Sequence, residues 1–544
     1  MTSKYDFIPF SKWPQTEREQ DELIQRLNQF NVISFDIFDT ALYRPFFKPR
    51  DLFHYLELKS GVPHFYENRK NAARLTRQEK AKQGIDEITL DEIYQTLKQL
   101  DSSLSDEQLT TLKAMEQETE IDLCQPNLDL LAFYQKIRAL NKKIVFTSDM
   151  YLPVETLQKM LSKCGYTHYD NLIVSHVDRL TKKSGTRFIH FLNMPPEQIL
   201  HIGDNLVSDG VNASKHGIQT ILYQPATNPF LSRRLNQKLS KSSTLFASFW
   251  RKQINHQNMP DYWYAIGFQY IGPLLTHFCT FLKNEINQKD IHKIAFMARD
   301  GQIMKQVFDI LYPEVAQTHY VFASRLMMQA ALKQSQKTYR NYLDDLHLTS
   351  ESFALVDVGR NGTLQKNLNT FLKAVKTSLH IQGYYIDLRK TDPMMHGYFV
   401  NQPKKYKRFL DFLDFFMIAD HPLIMDIQQK NKSFTPIYLP PDADELTREK
   451  IAHQMHLGAV DFARQIKPFK ALNNFNLTPS QLIKLLNFFM KFETLDKKSF
   501  QGITIPFGLK NEKKRFVVAP HFPLKIWLKT PLKCFKIYRK SLIK

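Results

Sequence analysis

Residues 32–40 read Val32-Ile33-Ser34-Phe35-Asp36-Ile37-Phe38-Asp39-Thr40. An apolar run closed by an acid, then a short polar turn, is the pattern of a buried parallel strand that delivers a carboxylate to the carboxyl edge of a sheet. Ligands of open α/β sheets gather at that edge. On this reading residues 1–235 are organised around Asp36. Upstream, 15–30 reads as a polar amphipathic helix leading into the strand. Downstream the pattern turns helical, with helices expected at 51–56, 66–82, 88–100 and 105–123 and no strand-like alternation between them. The stretch 43–125 is therefore expected to be a helical insertion.

An α/β rhythm then returns. Strands are expected at Lys143–Phe146, Asn171–Val174, Gln198–Ile202 and Thr220–Tyr223. Helices are expected at Pro126–Leu140, Pro153–Cys164, Thr186–Leu192 and Val207–His216. Such alternation predicts a parallel sheet with helices on both faces. Polar residues stand at the strand ends: Asp36, then Thr147-Ser148-Asp149, then Lys182-Lys183, then Gly203-Asp204 with Asp209.

These four segments, in this order, resemble the motifs of the haloacid dehalogenase (HAD) superfamily: an apolar strand ending DxDx[TV], a strand ending in Thr or Ser, a Lys before a helix, and a strand followed by GDxxxxD. The resemblance covers about 30–225 and implies a Rossmannoid α/β sheet with a helical cap. It also implies a Mg²⁺-dependent hydrolase acting on a phosphorylated small molecule. Asp36 would be the nucleophile, since a carboxylate can attack phosphorus and split one hard step into two. Asp36, the Phe38 backbone carbonyl, Asp204 and Asp209 would hold Mg²⁺ through oxygen. Thr147 and Lys183, with Lys182 as the alternative, would bind the phosphoryl group. Thr40, Ser148 and Arg44 would contact substrate. Phe38 departs from the pattern, because HAD phosphatases usually carry a second Asp there as general acid/base, and Phe moves no proton. Asp39 and Asp149 read as turn and cap residues, and His201 as a core histidine.

Residues 226–260 are polar, Ser-rich and basic, and mark a boundary. Tyr262–Leu282 is nearly all apolar, but Gln269, Pro273 and His277 interrupt it, so a buried helix pair broken at Gly272-Pro273 is expected in place of a membrane span. A second α/β module spans 250–430. Its strand–Asp357-Val358-Gly359-Arg360-Asn361-Gly362-Thr363–helix segment has the makings of an anion cradle, with Gly359, Gly362 and Thr363 binding substrate. Ser324-Arg325 and Arg299-Asp300 would face the same edge. The module resembles type I phosphoribosyltransferases, without their diphosphate motif. The whole layout resembles a large bacterial family of two-module HAD-type hydrolases found with surface-polysaccharide biosynthesis. That resemblance implies a glycan precursor as substrate. It leaves open a second reading, a non-hydrolytic binding or scaffold domain joined to a transferase-like module.

Residues 431–544 are expected to be mainly helical. From His521 to the end there are seven Lys and Arg and no acid. Lys525, Lys529, Lys533, Lys536, Lys540 and Lys544 share one helical face, which suits peripheral contact with an anionic membrane. The chain has 544 residues, enough for about two or three domains, with 74 Lys and Arg against 54 Asp and Glu. A net +20 suits a polyanionic partner, although no recognised nucleic-acid motif is present. Cys124, Cys164, Cys279 and Cys534 are far apart in sequence without a CxxC, which argues against zinc or a disulfide framework. Met1–Phe10 has no apolar run of the secretory kind. Together these features predict a cytoplasmic protein, peripheral to the inner membrane if the tail binds lipid.

Overall fold

All five residues of Val32–Asp36 are buried. They form the centre of a parallel sheet because the strand meets protein on both faces. The computed structural model describes residues 6–9, 17–46, 48–189, 191–224, 246, 250, 261–333, 335–377, 379–390, 392–431, 433–469, 477–492, 499–507 and 513–516. The basic tail after His521 and most of the expected boundary at 226–260 lie outside these residues. The chain divides into two compact units, residues 1–257 and 258–544, and the segment 431–544 falls within the second.

In the first unit the strands are β1 (Asp6–Pro9), β2 (Val32–Asp36), β3 (Leu42–Tyr43), β4 (Gln125–Pro126), β5 (Lys143–Ser148), β6 (Asn171–Val174), β7 (Ile199–Gly203) and β8 (Gln219–Gln224). Six of them make one parallel sheet in the order β1-β8-β7-β2-β5-β6. The chain runs outward from β2 to β6, then returns to the other side of β2 through β7. The order therefore reverses between β2 and β7, and a crevice opens at their carboxyl ends. Asp36 and Asp204 stand at those two ends.

Between β3 and β4 lies the cap, α1 to α4: Asp51–Ser60, Phe65–Lys82, Leu90–Leu100 and Asp106–Leu123. Capping boxes start the last two of these helices, Thr89 with Glu92 and Ser105 with Gln108. The centre of the cap is an ion pair of Arg69 and Glu116 with N–O distances of 2.6 and 2.8 Å, both side chains fully buried. Two expected helices after β6 are different. Residues 186–192 form short 3₁₀ turns on either side of Ile189, with Leu192 left-handed. Residues 207–216 form a π turn, Leu206–Val211, followed by one α turn. The wide turn leaves Asp209 buried and directed back toward the sheet.

The second unit holds β9 (Lys293–Met297), β10 (Gln317–Val321), β11 (Phe353–Arg360), β12 (Ile381–Leu388) and β13 (Met395–Val400), all parallel, in the order β10-β9-β11-β12-β13. The expected break at Gly272-Pro273 is absent. Tyr262–Ile266, a π turn at Gly267–Ile271, and Gly272–Gln288 follow one another directly, with Pro273 just after the π turn, whose wider winding accommodates a residue without an N–H. The glycines serve helix crossing. A Cβ on Gly267 would lie 1.9 Å from the Met455 carbonyl oxygen, and one on Gly458 would lie 2.1 Å from that of Tyr264. Met455 and Gly458 belong to the helix Ala443–Ile466. No described helix is long and apolar enough to cross a membrane.

Candidate functional site

The register of β2 on β5 sets Thr147 directly opposite Asp36. Thr147 and Ser148 are both buried, and the chain after them turns at Asp149. The Asp149 carboxylate accepts the backbone N–H groups of Lys182 and Lys183, both at 2.9 Å. That clamp orients the loop so that Lys182 turns inward. Its Nζ lies 2.5 Å from Asp36 Oδ1 and 2.6 Å from Asp209 Oδ1. Lys183 is exposed. Of the two lysines expected at this position, the structure brings Lys182, the alternative, to the Asp36 carboxylate and leaves Lys183 away from it. One residue along a turn reverses a side chain's direction, and only the tertiary partner Asp149 selects between the two.

Asp209 is held on three sides. It accepts Lys182, His201 Nε2 at 3.0 Å and the Asn205 N–H at 3.0 Å. His201 Nδ1 in turn meets Ser34 Oγ at 3.0 Å, so this core histidine also positions the site. Gly203 is required here, since a Cβ would lie 2.3 Å from Asp209 Cγ. Asp204 accepts no hydrogen bond from any described residue. Asp36, Asp204 and Asp209 each bring one carboxylate oxygen within 4.8 Å of the others. Both oxygens of Asp209 already accept hydrogen bonds, which leaves Asp36 and Asp204 as the carboxylates open to a cation. A hard-oxygen set of this kind fits Mg²⁺.

Electrostatics point the same way. Burial pushes Asp36 up to about 7, against the pull of Lys182 and with the repulsion of Asp209. Burial, then Asp36, Asp209 and Asp39, push Asp204 up to about 8. Burial also acts on Asp209, but Lys182 and His201 outweigh it and hold that carboxyl well below the usual range. The Lys182 ammonium is raised by Asp209 and Asp36 despite its burial. The centre thus has one fixed cation and two carboxyls that resist ionising together until a further cation arrives. Thr40, buried beside the Asp36 carboxylate, favours the ionised form of Asp36.

Arg44 does not stand free for substrate. Its Nε and Nη2 donate to Glu120 of the last cap helix at 2.7 and 2.8 Å, and its guanidinium lies 3.9 Å from the centre of the Phe38 ring. Phe38 is therefore the floor of a joint between core and cap. In the second unit, the strand β11 runs on through Gly359 to Arg360. Both cradle glycines have packing reasons. A Cβ on Gly359 (φ +104°) would lie 2.7 Å from Tyr385 Cβ, and one on Gly362 (φ +61°) would lie 2.5 Å from Met395 Sδ. Thr363 is exposed at the start of the helix Thr363–Ala374. Ser324 Oγ donates to the Ile424 carbonyl at 2.7 Å, and Arg299 pairs with Glu445 at 2.5 Å. Asp300 and Asp357 flank the reversal of strand order between β9 and β11. Burial and their mutual repulsion raise Asp300 to about 8, and burial raises Asp357 to about 6.

Cys124 and Cys164, distant in sequence, are neighbours in space: the two buried thiols stand 3.7 Å apart at the base of the cap.

Solved structures of HAD-type proteins resemble the chain over little more than a third of its length. An L-2-haloacid dehalogenase from Xanthobacter autotrophicus matches at 19% identity, over 39% of this chain and 84% of its own, with a TM-score of 0.28. A haloacid dehalogenase-like family hydrolase from Xanthomonas campestris matches at 14%, over 37% and 84%, with a TM-score of 0.26. A HAD hydrolase from Bacillus subtilis, bound to magnesium, matches at 17%, over 37% and 89%, with a TM-score of 0.26. No protein-family model and no curated protein matches the chain.

Proposed function

We propose that the first unit is a Mg²⁺-dependent HAD-type hydrolase that transfers a phosphoryl group from a small molecule or glycan precursor to Asp36 and then to water. The observation that supports this most directly is the position of Lys182 Nζ, which bridges Asp36 and Asp209 beside an Asp204 carboxylate with no donor of its own. Asp36 attacks phosphorus from the end of β2. Lys182 and Thr147 neutralise and orient the equatorial oxygens. Asp209 holds Lys182 in place. Asp36, Asp204 and the Phe38 carbonyl would hold Mg²⁺, which offsets charge between nucleophile and phosphoryl group when bound.

Because Phe38 lacks a proton and Arg44 is paired with Glu120, the leaving oxygen departs without an acid at that position. This favours substrates whose leaving group is itself stable as an anion, such as anhydrides and acyl or anomeric phosphates. The test is phosphate release from such esters with and without Mg²⁺, wild type beside Asp36→Asn. Release that needs both Mg²⁺ and Asp36 is expected; turnover that survives in Asp36→Asn removes the proposal.

A further inference from the structure

The second unit contains a separate polar pocket of about 340 Å³, lined by residues that include Arg360, Asp387, Arg389, Asn401, Lys404 and Asp411. It sits at the carboxyl ends of β11 and β12, the edge where parallel sheets bind ligands. Its volume is at the small end of ligand sites, roughly 300–1,000 Å³. Such a space suits one monosaccharide better than a nucleotide.

The chemistry of the wall is specific. Asp387 is 6% exposed, yet its carboxylate accepts no hydrogen bond from any described residue. A buried carboxylate without a donor is costly, and its surroundings hold it only partly. Burial raises its pKa while Arg360 and Arg389 pull it down. Arg360 is left-handed, with φ +77°, a conformation that a non-glycine residue adopts at a cost. Its Nη groups are fixed by Asp414 at 2.8 Å and Asp411 at 3.5 Å, while its Nε–H is buried with no acceptor. The wall therefore presents an acceptor without a donor, Asp387, while the Arg360 Nε–H is closed to any group in the pocket. An ammonium group could donate to Asp387, but the charges of Arg360, Arg389 and Lys404 around the pocket oppose it. A hydroxyl donates without bringing a charge, so it satisfies Asp387 without that repulsion. At the rim, Arg389 and Lys404 are exposed and make no ion pair with a described residue, which suits an anionic substituent held outside the pocket.

We infer that this pocket binds a phosphorylated monosaccharide, with a ring hydroxyl donating to Asp387 and the phosphate on Arg389 and Lys404. The site is independent of the Asp36 centre, and its test separates the two. Calorimetry of the full chain in EDTA would compare glucose 6-phosphate with cyclohexyl phosphate, which has the ring and the charge but no hydroxyls, and with inorganic phosphate. Glucose 6-phosphate is expected to bind at least about tenfold more tightly than cyclohexyl phosphate, the worth of hydrogen bonds to charged groups. Asp387→Asn is expected to abolish that preference. Arg389→Ser, an exposed change that leaves the fold intact, is expected to weaken the sugar phosphate by a similar factor. Both variants should release phosphate at the Asp36 centre as the wild type does. Equal binding of cyclohexyl phosphate, retained preference in Asp387→Asn, loss of binding in Lys182→Met in place of Asp387→Asn, or no binding by the wild type would each overturn the inference.

Discussion

The Arg44 guanidinium lies 3.9 Å from the centre of the Phe38 ring while it grips Glu120 of the cap with two hydrogen bonds. The position where a general acid is expected is thus part of the joint between core and cap.

Without proton donation the developing negative charge stays on the departing oxygen, so kcat/KM should rise steeply as that oxygen becomes more acidic. A series of aryl and alkyl phosphates spanning leaving-group pKa measures the slope. A flat plot would show that another residue protonates the leaving group.

The two adjacent lysines should behave differently. Lys182→Ala removes the only cation that a described residue places between Asp36 and Asp209, and kcat/KM should fall by about 10²-fold or more, the scale of losing a preorganised charge. Lys183→Ala touches only solvent and should stay within about twofold, as exposed substitutions do. Steady-state kinetics of the two variants, side by side, decides it. Equal effects would mean that the loop turns differently from the geometry described above.

Magnesium affinity should depend on pH. Asp36 and Asp204 titrate near 7 and 8 in the folded chain, above the ordinary 3.8. For acids raised in this way, the proton-linked stability is fully present below about pH 4 and is lost as pH rises through 7 and 8. Asp209, depressed, has the opposite sign and acts only at strongly acid pH. Metal-free protein should therefore melt at a lower temperature at about pH 8.5 than at about pH 6, and Mg²⁺ should restore more stability at the higher pH, releasing protons at the lower. Melting curves with and without Mg²⁺, plus calorimetry in two buffers of different ionisation enthalpy, measure both parts. A metal affinity flat across this range would contradict the assignment.

The cap should be sensitive to half of its ion pair. Arg69→Met leaves Glu116 buried with only the Tyr94 hydroxyl, at 2.9 Å, as a donor, and should cost about 3–5 kcal/mol. Arg69→Met combined with Glu116→Leu should recover most of that loss, because neither charge is then stranded. Urea unfolding followed by circular dichroism gives both values. A double variant as unstable as the single one would show that the pair's geometry, and not its charge balance, holds the cap.

Much of the first unit was legible in the sequence because buried parallel strands are apolar runs that end in polar residues. Asp36, Thr147, Asp204 and Asp209 all stand where that pattern places them. The cap helices were equally plain from their helical pattern and the lack of strand-like alternation between them. What failed was local direction and turn width. Lys182 and Lys183 are chemically identical, and the choice depends on Asp149 across the loop. The π turn at 206–211 has the composition of an ordinary helix start. Arg44 looked available because its partner Glu120 lies 76 residues away. Asp387 gave no signal beyond closing another apolar strand, since what distinguishes it is the absence of a donor, a property of three dimensions.

The residues at which the chain enters and leaves the cap are paired with each other: Leu42 with Pro126 and Tyr43 with Gln125. Asn127 secures the same junction through the carbonyls of Ala41 and Thr40. The eighty-odd residues between them therefore form a cassette whose two ends already meet. In evolutionary terms such a cassette can be exchanged, lengthened or trimmed while the strand that carries Asp36 keeps its place, so the cap can diverge without disturbing the sheet edge. Glu120 sets one limit on that freedom: a replacement that offers Arg44 no carboxylate would strand a buried guanidinium over Phe38.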